Sequence, residues 1–229
     1  MLRKLGIWLL KLLAAFVLLS LLLTLVYRWM PVPVTPLMLL RWADPDVGKL
    51  RKDWVPLEKI SDYMILAVIV QEDQNFFEHE GFDFKAIRKA IEENKTRKRP
   101  RGASTISQQT AKNVFLWPQR SWIRKGLEVW FTFLIETFWT KRRILEVYLN
   151  VIETGRGIYG VEAAARIYFG KPASALAAQE AALIAAVIPS PLRYSVLEPG
   201  PYVRRRQAWI LNQMRLWGMK VPLDKASRD

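Results

Sequence analysis

From Leu5 to Tyr27 the chain is apolar except for Lys11, Ser20 and Thr24. As a helix, these 23 residues are long enough to cross a ~30 Å hydrocarbon layer, which makes a membrane anchor the first constraint on any fold. A cleaved signal peptide would have a shorter apolar region followed by a small-x-small site, and YRWMPVPVTP offers none. Arg3 and Lys4 precede the run and place the N-terminus in the cytoplasm, although Arg28 and the basic remainder pull the other way. Trp8, Tyr27 and Trp29 stand where interfacial aromatics belong. Pro31, Pro33 and Pro36 then forbid helix and predict a short, stiff exit from the membrane. The resulting division is a tail at 1–4, a transmembrane helix at 5–27, a linker at 28–55 and one domain at 56–220.

About 200 residues lie beyond the anchor, enough for one domain with a real core. There are no cysteines, which excludes disulfide scaffolds, thiolate zinc sites and cysteine nucleophiles. A single histidine, His79, excludes a histidine-rich metal centre. The 35 Lys and Arg against 21 Asp and Glu give a net charge of +14 and predict an anionic partner: nucleic acid, a phosphoryl substrate or an acidic lipid surface. Ten tryptophans and the anchor favour the membrane side of that choice.

The most chemically suggestive stretch is VQEDQNFFEHEGFD, Val70 to Asp83. Here the apolar run Met64–Val70 ends on an acidic pair, Glu72 and Asp73, at the edge of a buried element. Desolvation and a neighbouring like charge both raise a carboxyl pKa, the setting of a general base. Acid pairs at helix ends are also commonly solvated, and a lone histidine beside two phenylalanines is commonly structural. Leu57 to Gln71 reads as one mostly buried helix, and Asp83 as the N-cap of a helix through about Glu93.

The basic loop KTRKRPRG, Lys95 to Gly102, leads into GASTISQQTAKN. Thr105 and Gln108 form a T-x-x-Q capping box, so a helix starts there with its N–H groups and positive dipole end exposed. Such a terminus can hold an anion, with Ser104, Thr105, Gln108, Gln109 and Lys112 at hand; a capped helix without a ligand is the plainer reading. Arg120, Arg124, Lys125 and Glu128 follow, the last either in a surface ion pair with Arg124 or an active-site carboxylate among cations. Lys141–Asn150 reads as packing, and glycines 155, 157 and 160 as a tight loop. Gly170 ends the next helix, Ala173–Ile188 forms another and Tyr202–Trp217 the last. Strand signals are nearly absent.

EDQNFFEHEGFD (Glu72–Asp83), GASTISQQ (Gly102–Gln109), RKGLE (Arg124–Glu128), KRRILEVYLN (Lys141–Asn150) and GIYGVEAAARIYFGK (Gly157–Lys171) resemble, in order, the five motifs of the family 51 glycosyltransferases. These peptidoglycan glycosyltransferases polymerise lipid II. The resemblance implies a mainly α fold, with a lysozyme-like helical lobe and a small membrane-proximal jaw behind one transmembrane helix. The chain runs to Asp229 without an S-x-x-K, S-x-N and K-T-G set, and so looks like the monofunctional form.

In the family reaction the 4-hydroxyl of an acceptor GlcNAc attacks the anomeric carbon of the donor MurNAc with inversion, expelling undecaprenyl pyrophosphate. The resemblance assigns the base to Glu72, the donor diphosphate to Lys112 and Arg120, and the second essential carboxylate to Glu128. Substrate contacts are further expected at Asp73, Phe76, His79, Ser104, Thr105, Gln108, Gln109, Arg124 and Lys125. A divalent cation such as Mg²⁺ is expected on the diphosphate, and the basic loop is expected to close over the substrate. The implied partners are lipid II, undecaprenyl-pyrophosphate-linked glycan, membrane lipid and other cell-wall synthesis or division proteins, but not nucleic acid. The expected location is the outer side of the cytoplasmic (inner) membrane, single-pass. Competing readings are a membrane-anchored lysozyme-like hydrolase and a non-enzymatic basic scaffold.

Overall fold

The structure, a computed structural model, describes residues 2–97, 102–119 and 121–221. The described residues form ten α-helices and one small sheet. Helix α1 (Leu2–Trp29) contains the expected anchor; its 27-residue stretch Arg3–Trp29 has a mean hydropathy of 2.6 over its most apolar window and is long and apolar enough to cross a membrane. It is followed by α2 (Pro36–Trp42), β1 (Arg51–Lys52), a 3₁₀ turn at Leu57–Lys59, α3 (Asp62–Glu72), α4 (Phe84–Asn94), α5 (Ile106–Phe115), α6 (Trp122–Phe138) and α7 (Lys141–Val151). Beyond these lie β2 (Glu153–Gly155), β3 (Ile158–Tyr159), α8 (Val161–Phe169), a second 3₁₀ turn, α9 (Ala178–Val187) and α10 (Pro201–Leu216).

The centre of the molecule is α3, in which every side chain from Met64 to Val70 is buried. A helix apolar all round must be enclosed on all sides, and α3 packs against α9 and α10. A second group sets α5 between α6 and α7, and the buried side chains of both groups belong to one continuous core. Asp83 caps α4 through Ala86 N–H at 2.8 Å, and the Thr105–Gln108 capping box opens α5.

Four local expectations are corrected. Leu57–Gln71 is not one helix, because Ser61 caps a new start through Tyr63 N–H and leaves only a 3₁₀ turn before it. Ala173–Ile188 divides in the same way into a 3₁₀ turn, Ala173–Ala175, and α9. Pro36 begins α2 instead of preventing it: Thr35 is the N-cap, and at the first helical position a missing N–H costs nothing. The glycine loop is a hairpin, with β3 between β1 (parallel) and β2 (antiparallel). Its Gly160 has φ 80°, and a Cβ there would lie 2.8 Å from Asn150 O.

The anchor is fastened to the domain at several points. Its two buried polar residues, Ser20 and Thr24, face the α6 side, where Trp130 Nε1 donates to Ser20 Oγ at 3.1 Å and Trp139 Nε1 to Thr24 O at 2.8 Å. Arg143, on α7, donates to Tyr27 O at 2.8 Å and also to Met30 O, a cation set on the carbonyl end of a helix. Lys52 holds Val32 O and Pro33 O in the exit segment.

Candidate active site

Helix α3 delivers Glu72 at its last turn, half-buried, where two side-chain amides hold the carboxylate. Gln109 Nε2 donates to Oε2 at 2.8 Å and Gln71 Nε2 to Oε1 at 3.3 Å. Each amide is itself fixed from behind. Arg206 Nε, from α10, donates to Gln71 Oε1 at 2.7 Å, and the Tyr148 hydroxyl, from α7, donates to Gln109 Oε1 at 3.1 Å. A guanidinium has no acceptor, so it accepts only the oxygen end of Gln71 and leaves the NH₂ for Glu72. Burial pushes the Tyr148 phenol well above its ordinary value, helped by the charges of Glu72 and Asp73, so it remains a protonated donor. Glu72 is therefore gripped through two amides of defined orientation.

Burial raises the Glu72 pKa above 4.5; the bonds from Gln109 and Gln71 and the charges of Arg206 and Lys112 oppose it. The like-charge contribution expected from Asp73 is not among these causes. Asp73 is turned away and engaged: His79 Nε2 lies 3.1 and 3.0 Å from its two oxygens, and Ile106 N–H donates to Oδ2 at 2.9 Å.

That last bond also corrects the expectation of an anion site at the start of α5. The anion on this helix terminus is the chain's own Asp73. Thr105 and Gln108 are spent on each other, Thr105 Oγ1 donates further to Gly81 O at 2.7 Å, and Ser107 is bonded to Glu136. Phe76 has no exposed surface, and Lys141 Nζ sits 4.7 Å from its ring centroid while donating to His79 O at 2.6 Å. Asp73, Phe76, His79, Thr105 and Gln108 are thus brought together as the frame behind Glu72. Ser104 is exposed at the mouth of the loop.

A second carboxylate lies on α6. Glu128 is 3% exposed and Arg124 8%, so theirs is a buried pair and not a surface one. Arg124 Nη1 bonds Oε2 at 2.7 Å and Lys125 Nζ takes Oε1. Serine 121 caps this helix through Arg124 N–H, and an open depression of about 340 Å³ is lined by Ser121, Trp122, Arg124 and Lys125. Lys112, on α5, makes no ion pair within 4 Å among the described residues. Burial lowers its pKa from 10.5, and the charges of Glu128, Arg124, Glu72 and Lys125 all act on it. Arg120 and Lys98–Arg101 lie outside the described residues.

The donor set does not fit a resident divalent ion. Among the described residues no three Asp, Glu, His or Cys side chains converge, and both Glu128 oxygens are already bonded to cations.

Gln71, Tyr148 and Arg206 were missed in the sequence, as was Lys141. Gln71 stood next to the acid pair and could have been found there. Tyr148 lies in the motif KRRILEVYLN but reads there as packing, and Arg206 lies 134 residues from Glu72 in one of several basic clusters.

A transglycosylase family model matches residues 43–215. Among curated relatives named "Biosynthetic peptidoglycan transglycosylase", one from Bdellovibrio bacteriovorus is 56% identical over 212 residues, covering 90% of this chain and 84% of its own. One from Bacteroides thetaiotaomicron is 53% identical over 214 residues (92% and 86%), and one from Yersinia pseudotuberculosis is 55% identical over 211 residues (90% and 88%). A match across most of the chain, at this identity, leads to one assignment: the chain belongs to the transglycosylase family.

Proposed function

We propose that this protein polymerises lipid II into uncrosslinked glycan strands, with Glu72 as the base. The observation that carries the reading is the clamp on Glu72: a half-buried carboxylate held ionisable by two oriented amides, with a lysine, Lys112, that makes no ion pair among the described residues and feels the charges of both Glu72 and Glu128. Glu72 accepts the proton of the acceptor 4-hydroxyl as its oxygen bonds to the donor's anomeric carbon. The bond from that carbon to the diphosphate breaks, and its electron pair leaves on the diphosphate. A diphosphate needs no general acid to depart, only positive charge where its own develops. Lys112, Arg124 and Lys125 supply that charge, with Arg120 as a fourth donor. Glu128 acts through them: with both oxygens occupied, it keeps Arg124 and Lys125 converged and does not touch the reacting atoms. Mg²⁺ remains a proposal about the substrate, carried in on the diphosphate, and chelation of an active preparation tests it.

The proposed location of the domain is the outer face of the cytoplasmic membrane, N-terminus inside, where the lipid-linked substrate lies; the apolar helix α1 and the family support this reading. Cell-wall synthesis or division proteins are the proposed protein partners. The test of function is polymerisation of labelled lipid II by the detergent-solubilised protein, with products resolved on a gel. Ladders from the parent and none from Glu72→Gln are expected. A folded parent that makes no ladder but cuts finished glycan would replace the polymerase with a hydrolase.

A further inference from the structure

One turn before Arg206 on α10, the loop after α9 and the first turn of α10 enclose a cavity of about 250 Å³ lined by Arg193, Tyr194, Ser195, Glu198 and Tyr202. Two tyrosines build its wall. Their rings are stacked, centroids 4.8 Å apart and 17° from parallel. Tyr194 packs against the core, and the Arg193 guanidinium lies 5.6 Å from its ring centroid. Tyr202 is 47% exposed. The stack therefore rests on a rigid support and turns part of an aromatic surface to solvent. Serine 195 accepts the Glu198 N–H at 3.0 Å, which leaves its own hydroxyl proton to donate.

The place of this wall in the molecule matters as much as its make-up. Tyr202 and Arg206 are four residues apart on α10 and so lie on one helical face, about 6 Å apart along the axis. Gln213, on the same face, bonds Gln74, just beyond Glu72. One stripe of α10 thus runs from the reaction centre, through Arg206, to the tyrosine wall.

We infer that the Tyr194–Tyr202 cavity is a saccharide subsite that holds the glycan strand one helical turn away from the reaction centre; this rests on the polymerase reading given above. The chemistry of the wall selects a sugar. An aromatic face is electron-rich, and the C–H groups on one face of a pyranose are apolar and weakly positive, so the two stack. The hydroxyl and acetamido groups at the sugar's edge then meet Arg193, Glu198 and Ser195. One arginine and one glutamate give the cavity no net charge, so it offers a diphosphate or an anionic headgroup no preference. A polymerase that keeps its strand between additions needs a hold of this kind, one that recognises polymer without engaging the leaving group.

Soluble β-1,4-linked N-acetylglucosamine oligomers are the probe, titrated into full-length Glu72→Gln protein in detergent so that no turnover occurs. Against that background, Tyr202→Ala is expected to weaken oligomer binding roughly tenfold, the scale of one well-placed aromatic contact. Tyr202→Phe, which keeps the ring, is expected to bind as before. In the otherwise native chain, Tyr202→Ala is expected to give shorter strands than the parent from the same lipid II. Unchanged affinity in a folded Tyr202→Ala protein would overturn the inference, as would unchanged strand length. Failure of the parent to make ladders strikes the polymerase reading instead, and oligomer binding by the Tyr202 pair still judges the subsite.

Discussion

The two carboxylates of the cleft are the same residue type in opposite surroundings. Glu72 is half-buried, meets neutral amide donors, and has its cations one residue removed, behind Gln71. Glu128 is almost wholly buried and meets two cations directly. Hydrogen bonds from amides hold an anion in place without cancelling its charge, so such a carboxylate can still take a proton. Contact with two cations commits the anion to them. What separates a proton acceptor from an organiser of positive charge is therefore the partners, and not the residue.

The largest effect tests the first half of that contrast. Glu72→Gln is expected to lower kcat for lipid II polymerisation by about 10²- to 10⁴-fold, the usual contribution of a general base, while the protein stays folded. A gel time course checks this, and a residual rate above a tenth of the parent's would remove Glu72 from the role. Next comes the second half: Glu128→Gln leaves Arg124 and Lys125 facing each other without their counter-charge. Removing one partner of a buried pair costs about 3–5 kcal/mol, so the melting temperature should fall as well as activity. Equal melting temperatures for parent and Glu128→Gln would break the comparison.

Smaller and more diagnostic is Tyr148→Phe. Losing its hydroxyl frees Gln109 to turn its oxygen towards Glu72, and the amide bond that lowers the Glu72 pKa is weakened. The acid limb of kcat/KM should then move to higher pH, with activity near neutrality lower by roughly tenfold, one hydrogen bond to a charged group. An unmoved acid limb would show that the tyrosine only packs.

The smallest effect concerns stability. Burial raises the folded-state pKa of Glu72 above 4.5, so the folded protein binds that proton more tightly than the unfolded chain does. Its contribution is fully present below 4.5 and is lost as pH rises through the folded value. Glu72→Gln, which never ionises, should therefore melt above the parent near neutral pH, and the gap should close in acid. A gap that widened in acid would reverse the sign and sink the argument.

Much of this was legible along the chain. The anchor, the Asp83 cap, the Thr105 capping box and the position of Glu72 follow from hydrophobic runs and capping residues, which act over one or two turns. The segment breaks at Ser61 and in Ala173–Ile188 were not, because a short turn before a capped helix differs little in pattern from the helix itself. The site was legible in its charged members and illegible in its grip. Lys112, Arg124, Lys125 and Glu128 announce themselves by charge, whereas Tyr148 and Arg206 matter only for what α7 and α10 bring beside α5 and α3.

By itself the sequence determined an apolar helix long enough to cross a membrane, a mainly helical domain and the charged residues of the candidate site, since hydrophobic period, length and charge are local properties. Tertiary structure alone decided that Asp73 is the anion on α5, that Glu128 is buried between cations, and that Glu72 is held by two amides fixed from behind. The reason is physical: protonation and hydrogen-bond direction depend on groups within about 3 Å, and a folded chain draws those neighbours from segments far apart in sequence.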